Sequence, residues 1–235
     1  MGRPQLAGEG PVTKTSAPSA RSHMSASYLV GWCFFRAVFA VYFRWSVFNS
    51  ERVPLEGPVI LASNHASYID PPLVGAGVRR QINFLARETI FRVPILAAIL
   101  RSWEVVPVDR DGGTGRGLKM ILSRLEKGGA IILFPEGTRS RHGELNPARS
   151  GIGLAVIKST APVVPSRVFG THKAFGPHML VPRPRRLTVK YGRPLLFEAL
   201  RAEAATCSKQ RVKEIYQQVA DEIMAQIAGL EPRND

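Results

Sequence analysis

His65 and Asp70 stand five residues apart in Asn64-His65-Ala66-Ser67-Tyr68-Ile69-Asp70, and about seventy residues later the chain reads Phe134-Pro135-Glu136-Gly137-Thr138-Arg139-Ser140. An imidazole takes a proton from an attacking group once a carboxylate at Nδ1 has fixed the tautomer that leaves Nε2 open. Four intervening residues let the loop fold back so that the two side chains meet. Asp70 also precedes Pro71-Pro72, and Asp at an N-cap with Pro at the first helical position is a strong helix start, so capping and orienting are both open to it through different oxygens. Asn64 can orient the loop or donate to an oxyanion. The second heptapeptide supplies parts of an anion site. Gly137 offers a backbone N–H with little obstruction, Arg139 a planar fork that binds two oxygens at once, and Glu136 a carboxylate to hold arginines in place.

The elements that position these residues are legible as short apolar runs alternating with helical patterns from residue 55 onward. Residues 58–62, 82–86, 105–108, 130–134, 163–169 and 187–191 read as strands bounded by Gly, Pro or polar residues. Residues 71–79, 93–101, 114–127 and 150–159 read as helices. A last helix, 208–228, carries Val212, Ile215, Val219, Ile223 and Ile227 as an amphipathic stripe that covers the sheet. The alternation predicts an α/β fold with a mixed, largely parallel sheet flanked by helices. His65 then follows a strand and emerges at its C-terminal edge, where ligands gather in open α/β sheets. Arg110 and Arg139 each lie at the end of a predicted strand, whereas Arg87, Arg141 and Arg149 read as solvated surface.

A chain of 235 residues buries one good core, so residues 51–235 are expected to form a single domain. Residues 1–27 are rich in Gly, Pro, Ser, Ala and Arg and cannot bury enough surface to order themselves; they read as a leader or a vector-derived segment. Residues 28–50 are expected to be an apolar membrane-associating helix. Arg36 and Arg44 would each cost roughly 2.5–3.5 kcal/mol at the centre of a span, which favours a helix lying in the interface or packed on the domain over one that crosses. The net charge of +14 suits an anionic partner. No nucleic-acid-binding signature accompanies it, so a membrane lipid surface is expected and nucleic acid is not. Cys33 and Cys207 show neither metal-ligand spacing nor a reason to pair.

The two heptapeptides resemble the glycerolipid acyltransferase superfamily, in particular the 1-acylglycerol-3-phosphate acyltransferases, whose first block is Asn-His-x4-Asp and whose third is Phe-Pro-Glu-Gly-Thr-Arg-Ser. Val106-Pro107-Val108-Asp109-Arg110 is similar to the second block, and Ala161-Pro162-Val163-Val164-Pro165 to the fourth. Together they cover roughly residues 55 to 170. The chain departs where an aromatic followed by Lys is expected, reading Ala148-Arg149-Ser150-Gly151.

The resemblance implies transfer of an acyl group from a thioester of coenzyme A or acyl carrier protein to the sn-2 hydroxyl of 1-acyl-sn-glycerol 3-phosphate, giving phosphatidic acid. His65 would be the general base and Asp70 its orienting carboxylate. Arg110, Glu136, Gly137, Thr138 and Arg139 would bind the anionic lysophospholipid acceptor, the two arginines at its phosphate and Glu136 at arginines or the glycerol. No metal or bound cofactor is expected, because the thioester already activates the acyl group. A covalent acyl-enzyme would need a nucleophile beside the base, and Ser67 lacks the Gly-x-Ser-x-Gly elbow. The alternatives are another lysophospholipid or amino-lipid acceptor, or a non-catalytic basic membrane-binding protein. The expected location is the cytoplasmic face of the cell membrane.

Overall fold

A computed structural model describes residues 24–108 and 114–232. Its centre is a seven-stranded sheet made of β1 (Ser46–Phe48), β2 (Val59–Ser63), β3 (Ile82–Arg87), β4 (Val106–Val108), β5 (Ala130–Leu133), β6 (Val163–Phe169) and β7 (Thr188–Tyr191). The spatial order is β1-β7-β6-β2-β5-β3-β4, and only the β6–β7 pair is antiparallel. The mixed, largely parallel α/β sheet is therefore as expected. Every residue of β2, β5 and β7 is buried, as strands covered on both faces require.

Helices α1 (Ala26–Val41) and α2 (Asp70–Ala76) lie over one face, where Leu61, Ile82, Ile132 and Val189 meet Phe39, Leu73 and Val74. The other face carries Ile60, Ile131 and Val163 against α4 (Thr114–Glu126), α5 (Gly151–Ile157) and α8 (Lys209–Ala228). Leu61 and its neighbours Ile60 and Ala62 thus point to opposite cores, the period-two alternation of a strand. The helix α3 (Pro94–Ser102), the short α6 (Thr171–Phe175) and α7 (Glu198–Thr206) complete the chain. Tyr191, fully buried in the first core, donates its hydroxyl to the Val74 carbonyl at 2.6 Å, and burial pushes its phenol pKa up.

The N-terminal segment differs from the expected helix of residues 28–50. The helix ends at Val41, Arg44 turns the chain in the left-handed region at φ 47°, and residues 46–48 enter the sheet as β1 beside β7. Sixteen residues rise only about 24 Å, short of a bilayer core. Among the described residues no helix is long and apolar enough to cross a membrane. Arg36 faces the domain, donating to the Ala76 carbonyl at 2.8 Å with its guanidinium over the rings of Trp32 and Trp45. Trp32 donates to the Val78 carbonyl at 2.9 Å. At Gly31 an added Cβ would lie 2.2 Å from the Trp103 ring, so the helix docks through a position that admits no side chain. Its other face leaves Val30, Phe34 and Val41 exposed.

Candidate active site

β2 lies between β5 and β6 and parallel to both, so all three present their C-terminal ends to the same edge. Where β2 stops, Asn64 carries the ladder one step further through its side chain. Its Oδ1 accepts from the Val168 N–H at 2.8 Å and its Nδ2 donates to the Val168 carbonyl at 3.2 Å. The amide at Asn64 thus pins the start of the loop to β6.

The loop then folds back as its length allows. Asp70 Oδ2 accepts from the N–H of Ala66 at 2.6 Å and of Ser67 at 2.7 Å, and lies 2.9 Å from His65 Nδ1. An oxygen already accepting two N–H bonds has no proton of its own to give, so Nδ1 is the donor and Nε2 the basic atom. Asp70 opens α2, yet its carboxylate is turned into the loop. The expected division of capping and orienting between two oxygens is not found, because Oδ2 takes all three bonds and the buried Oδ1 takes none among the described residues.

His65 is held on every other side as well. Its ring stacks on Phe134 with centroids 4.0 Å apart and planes 19° from parallel. Its N–H donates to Glu136 Oε1 at 2.8 Å, and its carbonyl accepts from the Ser140 N–H at 2.7 Å. The side chain of Asp70 is fully buried while that of His65 keeps 17% exposure, so the pair meets solvent through the imidazole alone.

Glu136 differs from the expectation that it would hold arginines or glycerol. Its second oxygen accepts from Asn146 N–H at 3.1 Å and Asn146 Nδ2 at 2.7 Å, so this 2%-exposed carboxylate clamps the His65 loop to residues 140–149. Gly137 has φ 69°, and its N–H donates to the Phe134 carbonyl at 3.0 Å, closing a turn instead of facing a ligand. Thr138 is exposed. Arg139 lies with Cζ 3.6 Å from the centre of the Tyr68 ring, and its buried Nη1 has no partner among the described residues. Arg110 lies outside the described residues.

Three contributors went unrecognised in the sequence reading. Phe134 shows its part only as an aromatic at a strand end, Tyr68 as an aromatic at an exposed loop position, and Asn146 gives no signal because it acts through a loop. Arg149, read as solvated surface, is exposed but lies against Gly137, where an added Cβ would come 2.9 Å from its Cδ.

The site thus joins an imidazole and its carboxylate, at the C-terminal edge of a largely parallel sheet, to a partly buried guanidinium. A family model described as Acyltransferase matches residues 44–168, more than half of the chain, and the chain belongs to that family. It is 30% identical over 136 residues to the chloroplastic 1-acyl-sn-glycerol-3-phosphate acyltransferase BAT2 of Brassica napus, covering 56% of this chain and 39% of that protein. It is 27% identical over 125 residues to the 1-acyl-sn-glycerol-3-phosphate acyltransferase of Bacillus subtilis, covering 53% and 62%. The chain thus spans less than two thirds of the length of these relatives. The crystal structure of the 1-acyl-sn-glycerophosphate (LPA) acyltransferase PlsC from Thermotoga maritima shares the fold, with a TM-score of 0.69 at 21% identity over 87% of this chain and 81% of that one.

Proposed function

We propose that the chain transfers an acyl group from an acyl thioester to the sn-2 hydroxyl of 1-acyl-sn-glycerol 3-phosphate, giving phosphatidic acid. The observation that carries this reading is the 2.9 Å contact of His65 Nδ1 with Asp70 Oδ2, which leaves Nε2 without a partner among the described residues. In the proposed step Nε2 takes the hydroxyl proton as the oxygen attacks the thioester carbon. The carbon–sulfur bond breaks on collapse of the tetrahedral species, and the imidazolium returns the proton to the departing thiolate. Asp70 stabilises the imidazolium and fixes the ring, and stacking on Phe134 limits its tilt. Arg139 binds the acceptor phosphate, with Thr138 beside it in sequence, and Arg110 is proposed as a second phosphate ligand from its sequence block alone.

The activity for which the relatives are named supports the acceptor, and the +14 charge suits both that anion and a lipid surface on the cytoplasmic side of a membrane. The chemistry calls for no metal or cofactor. The test is an assay of the purified chain against a panel of lysophospholipids and amino-lipids, with acyl-coenzyme A and acyl carrier protein as donors. Product from lysophosphatidic acid that disappears in His65→Ala is expected. Equal turnover of another acceptor would reassign the substrate, and no turnover with any pair would leave a binding protein.

A further inference from the structure

The segment after α6 ends in an apolar tip with a basic base. Leu180 is 96% exposed and Val181 71% exposed, and within five residues follow Arg183, Arg185 and Arg186, all exposed. No carboxylate pairs with these three among the described residues. Two large apolar side chains held out into water, rimmed by cations of one sign, are what an anionic lipid surface complements.

This segment is held in shape. The Arg183 N–H donates to the Ala174 carbonyl at 2.8 Å, closing the loop at its base, and the Met179 N–H donates to the Gly176 carbonyl at 3.0 Å. Tyr42 at the end of α1 donates its hydroxyl to the Pro182 carbonyl at 2.9 Å, so the loop stands beside the exposed Val41 and Tyr42. On its other side it joins the site: Ser67 Oγ donates to the Phe175 carbonyl at 2.5 Å, and the Phe175 ring packs 5.7 Å from that of Tyr68.

We infer that residues 176–186 form a lipid-contacting element, in which Leu180 and Val181 enter the acyl boundary of an anionic bilayer while Arg183, Arg185 and Arg186 bind headgroup phosphates. The inference rests on the proposed lipid acceptor, and gives it a route. A loop anchored to Ser67 and packed on Tyr68 sets the His65 edge of the sheet against the surface from which a lipid acceptor would come.

The test uses the full chain and vesicles of phosphatidylcholine alone or with phosphatidylglycerol. Each arginine near an anionic surface contributes about fivefold to partitioning, so the triple variant Arg183→Gln, Arg185→Gln, Arg186→Gln should lose on the order of a hundredfold on anionic vesicles and little on neutral ones. Leu180→Ser with Val181→Ser should weaken binding about tenfold. All five side chains are exposed, so melting temperatures should stay put. A fluorophore on Leu180→Cys, in a Cys33→Ala, Cys207→Ser background, should shift to the blue on anionic vesicles. The inference is overturned if both multiple variants bind as the parent does, if the label stays in water while the chain is bound, or if Leu180→Ser instead dissolves a dimer in lipid-free buffer. Vesicle binding lost with turnover of detergent-dispersed acceptor retained supports it. Binding through this loop with no acyl transfer at all supports the loop and overturns the acyltransferase reading.

Discussion

The Arg139 guanidinium lies over the Tyr68 ring, Cζ 3.6 Å from its centre, and with the stack of His65 on Phe134 it ties the second heptapeptide to the first through side chains. One face of the guanidinium is thereby fixed, and Nη1 is buried without a protein partner among the described residues. Cation–π contacts contribute about 0.5–2 kcal/mol, the larger values when water is excluded. Tyr68→Ala should therefore raise KM for a phosphate-bearing acceptor about two- to thirtyfold. Tyr68→Phe keeps the stack and should stay near the parent. Steady-state kinetics with acceptor and donor varied separately read the difference; an equal response to Ala and Phe would mean that the ring does not position Arg139.

Arg139→Lys keeps the charge and loses the fork. A charge-assisted hydrogen bond contributes roughly 1.5–3 kcal/mol, so efficiency with lysophosphatidic acid should fall on the order of ten- to a hundredfold, and much less with an acceptor lacking the phosphate. A uniform loss with a lowered melting point would remove the phosphate assignment.

His65→Ala should lower turnover by about 10² to 10⁴, the usual contribution of a general base. Asp70→Asn places an amide where one oxygen now meets three donors, so it disturbs both the loop and the tautomer. The double variant should be little worse than His65→Ala alone, since the carboxylate works through the imidazole. Additive losses would show that Asp70 acts independently.

Glu136→Ala leaves the partly buried His65 N–H and both Asn146 donors without their acceptor. The loss should be about 3 kcal/mol or more, a melting temperature lower by roughly 6–12 °C in a domain of this size. Calorimetry reads it directly. If activity fell with the melting temperature unchanged, Glu136 would be contacting substrate instead of clamping the loop.

Removing residues 1–48 should unfold the domain as well as weaken attachment to lipid, because Phe39 and Phe43 are core residues at 1% and 3% exposure and β1 is part of the sheet. Circular dichroism of the truncated chain decides between this and a merely detachable anchor, which would leave the remainder folded.

The strands that flank the site were legible because each is an apolar run closed by Gly, Pro or a polar residue, and the structure moves their ends by at most one position. β1 was not legible: Ser46, Val47 and Phe48 continue the aromatic run of α1, and the break falls at Arg44, whose left-handed turn leaves no mark in composition. Nor was α7, since Glu198–Thr206 buries no residue and so carries no stripe. Within the site the juxtaposition of His65 with Asp70 follows from spacing. The engagement of Glu136 does not, because a carboxylate's partner depends on where residues 140–149 return, and Asn146 lies in a loop whose path no periodicity records.

β1 lies near the start of the chain, yet Ser46 pairs with Thr188. At synthesis rates of about 5–20 residues per second, the ribosome needs roughly seven to thirty seconds to deliver the partner of that strand. Through that interval α1 has only α2 and the segments after it to lean on, while Phe43 and Val47 wait for β7. Closure of this sheet edge is therefore a late, long-range event in biogenesis, and a nascent chain halted before residue 188 leaves the aromatic residues of α1 and β1 exposed to whatever apolar phase is nearest.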